Sequence, residues 1–130
     1  MQIEIHYLGW AIVLGLVQLL LADALVTRQR GMEWNTGPRD ADPGPASGKA
    51  GRSERALRNF YETFPFFAAA VVAVVATGQA DAWTALGVKL YFWARVVYVP
   101  LYVYAVRYVR SLAWVVSMAG LLLVLVPLLR

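Results

Sequence analysis

The sequence contains no cysteine, and His6 is its only histidine. These absences exclude a cysteine nucleophile, a disulfide and a thiolate metal site, and a lone imidazole disfavours a histidine-based metal site. We therefore predict no bound metal. Any thiol or redox chemistry must come from a substrate.

Charged residues are also scarce. They form 15% of the 130 residues, whereas 60% are hydrophobic and the mean hydropathy is +0.56. A soluble domain would be nearer ~45–50% apolar. The composition therefore predicts an integral membrane protein.

Long apolar segments agree with this, because a helix needs about 20 residues to cross a bilayer. Segments 5–22 and 111–129 contain no Asp, Glu, Lys or Arg, while Lys89 and Arg95 interrupt the third candidate. We predict one domain, residues 1–130, with spans at approximately 5–26, 55–80, 82–109 and 111–129.

The N-terminus carries Glu4 but no Lys or Arg, and no small-residue cleavage site follows the first apolar run. This pattern argues against a cleavable signal peptide. Alternating strands typical of a membrane barrel are missing as well, and no internal repeat is present. The predicted fold is an all-α integral membrane protein, a bundle of four transmembrane helices.

Residues 27–54 are rich in Gly, Pro, Asp and Ser and show no apolar periodicity, so we predict a solvated loop. Cations concentrate in and near this loop and in the third connection, whereas the opposite side has Lys89 and Arg130. The positive-inside rule therefore predicts a cytoplasmic loop and periplasmic termini. Anionic lipid explains the net charge of +4 without a nucleic acid partner. The cations on the loop side are Arg28, Arg30, Arg39, Lys49, Arg52, Arg55, Arg58, Arg107 and Arg110.

Polar residues at the edge of the second span share one helix face. At about 100° per residue, Arg55, Asn59 and Glu62 fall within an arc of roughly 60°. Since polar groups in a membrane helix are expensive unless they face the bundle interior, this stripe predicts a polar site. A purely structural alternative is an ion pair between Glu62 and Arg95.

The third span repeats the pattern. Tyr98 and Tyr102 follow Arg95 at i+3 and i+7, again within an arc of roughly 60°. Pro100 is expected to kink the helix, which leaves the projection of Arg110 open.

Two segments carry a family resemblance. "RALRNFYETFP" (55–65) resembles the R-x-x-x-N-x-x-E-x-x-P signature of the MAPEG superfamily, the membrane-associated proteins in eicosanoid and glutathione metabolism, and "ARVVYVPLYVYAVRYVRS" (94–111) resembles its third-helix signature. The pattern is most similar to the small bacterial branch, which implies a bacterial inner membrane.

The resemblance implies a homotrimer that binds glutathione between protomers near the cytosolic face. Arg110 matches the arginine that stabilises the glutathione thiolate, although an ungapped count places Val109 there, and Arg107, Arg28 or Arg30 remain alternatives. The implied glutathione ligands are Arg55, Asn59, Glu62, Arg95, Tyr98 and Tyr102.

These residues suit glutathione chemically, because arginines bind its two carboxylates and Glu62 its ammonium group. We predict a glutathione-dependent transferase or peroxidase that acts on lipophilic electrophiles from the membrane. Two alternatives are a small four-helix multidrug-type exporter and a non-enzymatic protein that binds lipid or thiol. Against the exporter, the first span has no central acid, since Asp23 lies near its end. Nothing in the sequence identifies the electrophile.

Overall fold

A computed structural model describes residues 2–40 and 43–130. Within these ranges the chain forms five helices and no strand. They are α1 (Ile3–Arg30), α2 (Met32–Thr36), α3 (Gly48–Ala76), α4 (Ala82–Val103) and α5 (Val109–Leu129).

Four of the helices, α1, α3, α4 and α5, are long and apolar enough to cross a membrane, which confirms the predicted fold class. α1 exposes large aliphatic side chains such as Leu16, Val17 and Leu20, as expected of a helix in contact with lipid. The four long helices alternate in direction, so the connection between α3 and α4, the start of α1 and the end of α5 lie at one end of the bundle. We name it the Asp81 end, and the opposite end, with the α4–α5 connection, the Tyr104 end.

Aromatic and small residues make the core. The rings of Phe67 in α3 and Tyr91 in α4 stack at 3.9 Å between centroids, and the Tyr91 hydroxyl lies 2.9 Å from the Thr63 hydroxyl. α4 and α5 cross where two glycines meet. A Cβ added to Gly120 would lie 2.5 Å from the carbonyl oxygen of Gly87, so this crossing has no room for a side chain.

The segment predicted as the loop 27–54 is partly helical. α1 continues to Arg30, α2 follows, and α3 begins at Gly48, while residues 41 and 42 lie outside the described ranges. Contacts that the sequence pattern does not reveal support this early start of α3. Gly51 packs against the Ala46 carbonyl, and Arg52 donates a 2.6 Å hydrogen bond to the carbonyl oxygen of Val103.

The third predicted span, 82–109, is shorter in the structure. α4 ends at Val103 with a Schellman turn, in which Ala105 adopts φ 59° and the amides of Ala105 and Val106 donate to the carbonyls of Tyr102 and Leu101. The chain then reverses, so that Arg110 lies in the first turn of α5. A projection along one continuous helix from Arg95 therefore does not apply to Arg110.

Candidate functional site

Arg95 and Asn59 connect α4 with α3. Arg95 is 1% exposed, and its Nη1 donates a 2.9 Å hydrogen bond to Oδ1 of Asn59. The guanidinium carbon lies 4.4 Å from the ring centroid of Tyr98 and 5.7 Å from that of Phe60. Two cation–π contacts and one hydrogen bond therefore fix the head of this arginine.

The contacts continue toward the Tyr104 end of the bundle. The rings of Tyr98 and Tyr102 lie 5.6 Å apart, and the guanidinium carbon of Arg110 lies 4.6 Å from the ring centroid of Tyr102. The turn after α4 makes this last contact possible, because it brings the start of α5 back over the final turn of α4. Five predicted site residues thus form one continuous series of contacts: Asn59, Arg95, Tyr98, Tyr102 and Arg110.

Arg95 retains unused hydrogen-bonding capacity. Its Nε and Nη2 are buried and have no hydrogen-bond partner among the described residues. A buried donor that lacks a partner carries a desolvation penalty of about 1–3 kcal/mol, more when it is charged. A carboxylate could accept from two such donors in the bidentate geometry that arginine favours.

Arg55 and Glu62 lie on the same side of α3 but are exposed and outside this series. Glu62 interacts electrostatically with Arg95. Neither residue forms an ion pair with another described residue, and Asn59 occupies the position next to Arg95 where the structural alternative placed Glu62. In this single chain both side chains remain accessible to a ligand or to a neighbouring molecule.

The other arginines considered for the thiolate lie elsewhere. Arg107 stacks on Tyr108 at 5.5 Å, and Arg30 donates to the carbonyl oxygen of Gly44. Arg28 is exposed near the end of α1. Of these arginines, Arg110 is the one in ring contact with Tyr102.

Sequence reasoning overlooked two buried polar side chains. Gln18 in α1 is 3% exposed with both amide atoms unpartnered in the described structure, and the hydroxyl of Ser53 in α3 is also buried without a partner. Gln18 could have been found, because an amide inside an otherwise apolar span is costly. No sequence pattern indicated that Ser53 is buried, because it lies in the stretch 27–54 that was predicted as a solvated loop. No cluster of three or more acidic or histidine residues suited to a metal ion occurs among the described residues.

Of three comparisons with known proteins, the one with family models gives a match. No curated protein and no solved structure matches the chain significantly. The model of the MAPEG family matches residues 7–130, which is essentially the whole chain and includes every predicted site residue. Together with the four apolar helices, this match shows an integral, multi-pass membrane protein that belongs to the MAPEG family.

Proposed function

We propose that this protein is a glutathione-dependent transferase or peroxidase of the small bacterial MAPEG branch, acting on lipophilic electrophiles. MAPEG proteins generally use glutathione, which supports the choice of thiol. The observation that carries the proposal is the pair of unpartnered donors on buried Arg95, which belongs to a series of cationic and aromatic side chains. A carboxylate of glutathione would satisfy them.

The remaining roles follow from charge and position. Arg55 provides a second cation for the other carboxylate, and Glu62 provides an anion for the ammonium group, both on the accessible face of α3. Asn59 orients Arg95 through their hydrogen bond. Tyr98 and Tyr102 form the wall between Arg95 and Arg110.

Arg110 is the proposed activating residue. A thiol with a pKa of about 8.5 is only a few per cent ionised at neutral pH, and a guanidinium favours the thiolate while keeping its own charge. The thiolate then attacks an electrophile that reaches the site from the bilayer. Catalysis consists of this ionisation together with alignment of the two reactants.

The proposed assembly is a homotrimer in a bacterial inner membrane, with the Tyr104 end in the cytoplasm and the chain termini periplasmic. The exposure of Arg55 and Glu62 supports a homotrimer, because a neighbouring protomer would shelter these two charged side chains from lipid. Native mass spectrometry in mild detergent should detect three copies. A monodisperse monomer would contradict this assembly.

The function is tested by measuring thiolate absorbance and conjugation rate against pH. Arg110→Ala should bind glutathione nearly as well as the wild type but need a higher pH for both signals, because the charge that favours ionisation is lost. Arg107→Ala is the matched control and should keep the wild-type profile. A wild-type profile in Arg110→Ala would remove Arg110 from the activating role.

Binding is tested separately with Glu62→Gln. Its affinity for glutathione should fall by roughly 1.5–3 kcal/mol, the range for a hydrogen bond to a charged group, with little change in thiolate formation at saturation. Glu33→Gln makes the same substitution on exposed α2 and should bind normally. If the wild-type protein shows no thermal shift with glutathione, the proposed function fails.

A further inference from the structure

A polar cavity lies at the Tyr104 end, between α1, the α2 region and α3. It has a volume of about 230 Å³ and lies where the end of α1 and the short helix α2 meet the first turns of α3. Its charged lining consists of Asp23, Arg30, Arg39 and Glu54. None of these belongs to the proposed glutathione site.

The two arginines of this cavity are held in place. Nη2 of Arg30 donates a 2.6 Å hydrogen bond to the carbonyl oxygen of Gly44, and Nε of Arg39 donates one of 3.1 Å to that of Asn35. Both guanidinium groups also lie over the indole of Trp34, at 4.6 and 5.0 Å. Because protein contacts already orient both cations, an anion that binds them loses little side-chain entropy.

The two carboxylates are not neutralised by these arginines. Asp23 and Glu54 form no hydrogen bond or ion pair with another described residue, and the one ion pair found in residues 2–40 and 43–130 joins Arg130 to Asp81. The cavity therefore presents both signs of charge without direct pairing between them. This arrangement suits a ligand that carries an anionic and an ammonium group.

Apolar surface continues from the cavity toward the membrane. An adjoining cavity of about 210 Å³ shares Asp23 and Glu54 with the first, and its lining is completed by Ala22, Leu57, Arg58 and Tyr61. Next to it, α1 exposes a run of aliphatic side chains that includes Leu16, Val17 and Leu20. A polar site that opens onto apolar helix surface fits an amphiphile better than a water-soluble zwitterion.

We propose that these cavities bind a phospholipid with a phosphoethanolamine headgroup. The phosphate contacts Arg30 and Arg39, the ammonium contacts Asp23 and Glu54, and an acyl chain lies along the exposed face of α1. Phosphatidylglycerol lacks the ammonium group, and the trimethylated ammonium of phosphatidylcholine has no N–H to donate. The carboxylates therefore determine the preference among lipids.

Native mass spectrometry of delipidated protein in detergent tests this site, with each lipid titrated in turn. The wild type should bind phosphatidylethanolamine more tightly than phosphatidylglycerol or phosphatidylcholine. Glu54→Gln should reduce the affinity for phosphatidylethanolamine by about tenfold or more while leaving phosphatidylglycerol binding equal or stronger, because a charge-assisted contact to the ammonium is lost. Asp23→Asn should act in the same direction.

Glu33→Gln is the control for the loss of one carboxylate and should keep the wild-type preference. Equal binding of phosphatidylethanolamine and phosphatidylglycerol by the wild type would overturn the proposal, as would the same loss of preference in Glu33→Gln. Soluble phosphoethanolamine should compete poorly, and competition as strong as that of the lipid would show that the acyl chain is not bound. Displacement of the lipid by glutathione would assign the cavity to the thiol instead.

Discussion

The two ends of the helical bundle satisfy their buried polar groups in different ways. At the Asp81 end, Thr84 is fully buried, donates a 2.7 Å hydrogen bond to Oε1 of Glu4, and accepts one of 2.8 Å from the amide of Asp81. Asp81 in turn accepts from the amide of Thr84 and pairs with Arg130 at 3.1 Å. These contacts join α1, α4 and α5 in one closed network.

Toward the Tyr104 end, buried polar atoms remain unpartnered within the described structure. They include two nitrogens of Arg95, both amide atoms of Gln18 and the hydroxyl of Ser53. Each unmet group costs free energy in the folded state unless water or a ligand satisfies it. The Asp81 end therefore stabilises the bundle through paired polar groups, whereas the other end leaves polar groups that a ligand or water could satisfy.

The largest expected effect concerns Arg95. Arg95→Met should reduce glutathione affinity by at least about a hundredfold, because two charge-assisted hydrogen bonds are lost. The melting temperature should stay equal or rise, since the substitution also removes a buried charge with unmet donors. Calorimetric titration and thermal unfolding in detergent measure the two quantities. Lower stability with normal binding would assign Arg95 to the scaffold and remove the contrast between the two ends.

A second prediction concerns the close crossing of α4 and α5. Gly120→Ala places a Cβ 2.5 Å from the carbonyl oxygen of Gly87, so the helices must separate. The cost should approach the upper part of the range of about 1–3 kcal/mol for overpacking. Gly9→Ala is the control, because nothing lies within 4 Å of its added Cβ. If both variants unfold at the wild-type temperature, close packing at Gly120 is not required.

Much of the scaffold could be predicted from the sequence. Four apolar segments give four membrane helices, and these are confirmed. Helical periodicity also placed Arg95, Tyr98 and Tyr102 on one face, and the structure shows Tyr98 in contact with both of the others. Local spacing sufficed here because all three residues lie on one helix.

Features that depend on tertiary contacts were not predictable. The end of α4 relies on Ala105 in a left-handed conformation, a position that usually carries glycine, as Gly78 does after α3. Without a glycine, the sequence pattern continued the span to residue 109. Likewise, nothing local indicates that Asn59 rather than Glu62 contacts Arg95, since the rotation of α3 against α4 decides it.

The third prediction tests the closed network. Thr84→Val removes the hydroxyl that donates to Glu4 and leaves a carboxylate oxygen buried without this partner. We expect a loss of about 1–2 kcal/mol in the free energy of unfolding, with unchanged glutathione affinity. Thr77→Val is the matched control, because that hydroxyl is bonded within its own helix end and to Gln79. A binding defect in Thr84→Val would show that the two ends are coupled.

The smallest effect is expected from the charge of Asp81. Hydrogen bonding from the amide of Thr84 is the main cause that lowers the pKa of Asp81 below its usual 3.8, with smaller contributions from the amide of Trp83 and from Arg130. A lowered folded-state pKa contributes stability that is present above about pH 4 and is lost as the pH falls through that pKa.

Asp81→Asn keeps an N-cap acceptor but cannot titrate, so its melting temperature should fall less than that of the wild type between about pH 6 and pH 3. Arg130→Gln removes the ion pair and should still show acid sensitivity, because the hydrogen bond from the Thr84 amide, the largest single cause of the lowered pKa, remains. If Arg130→Gln instead matches Asp81→Asn, the ion pair rather than the helix cap dominates this end of the bundle.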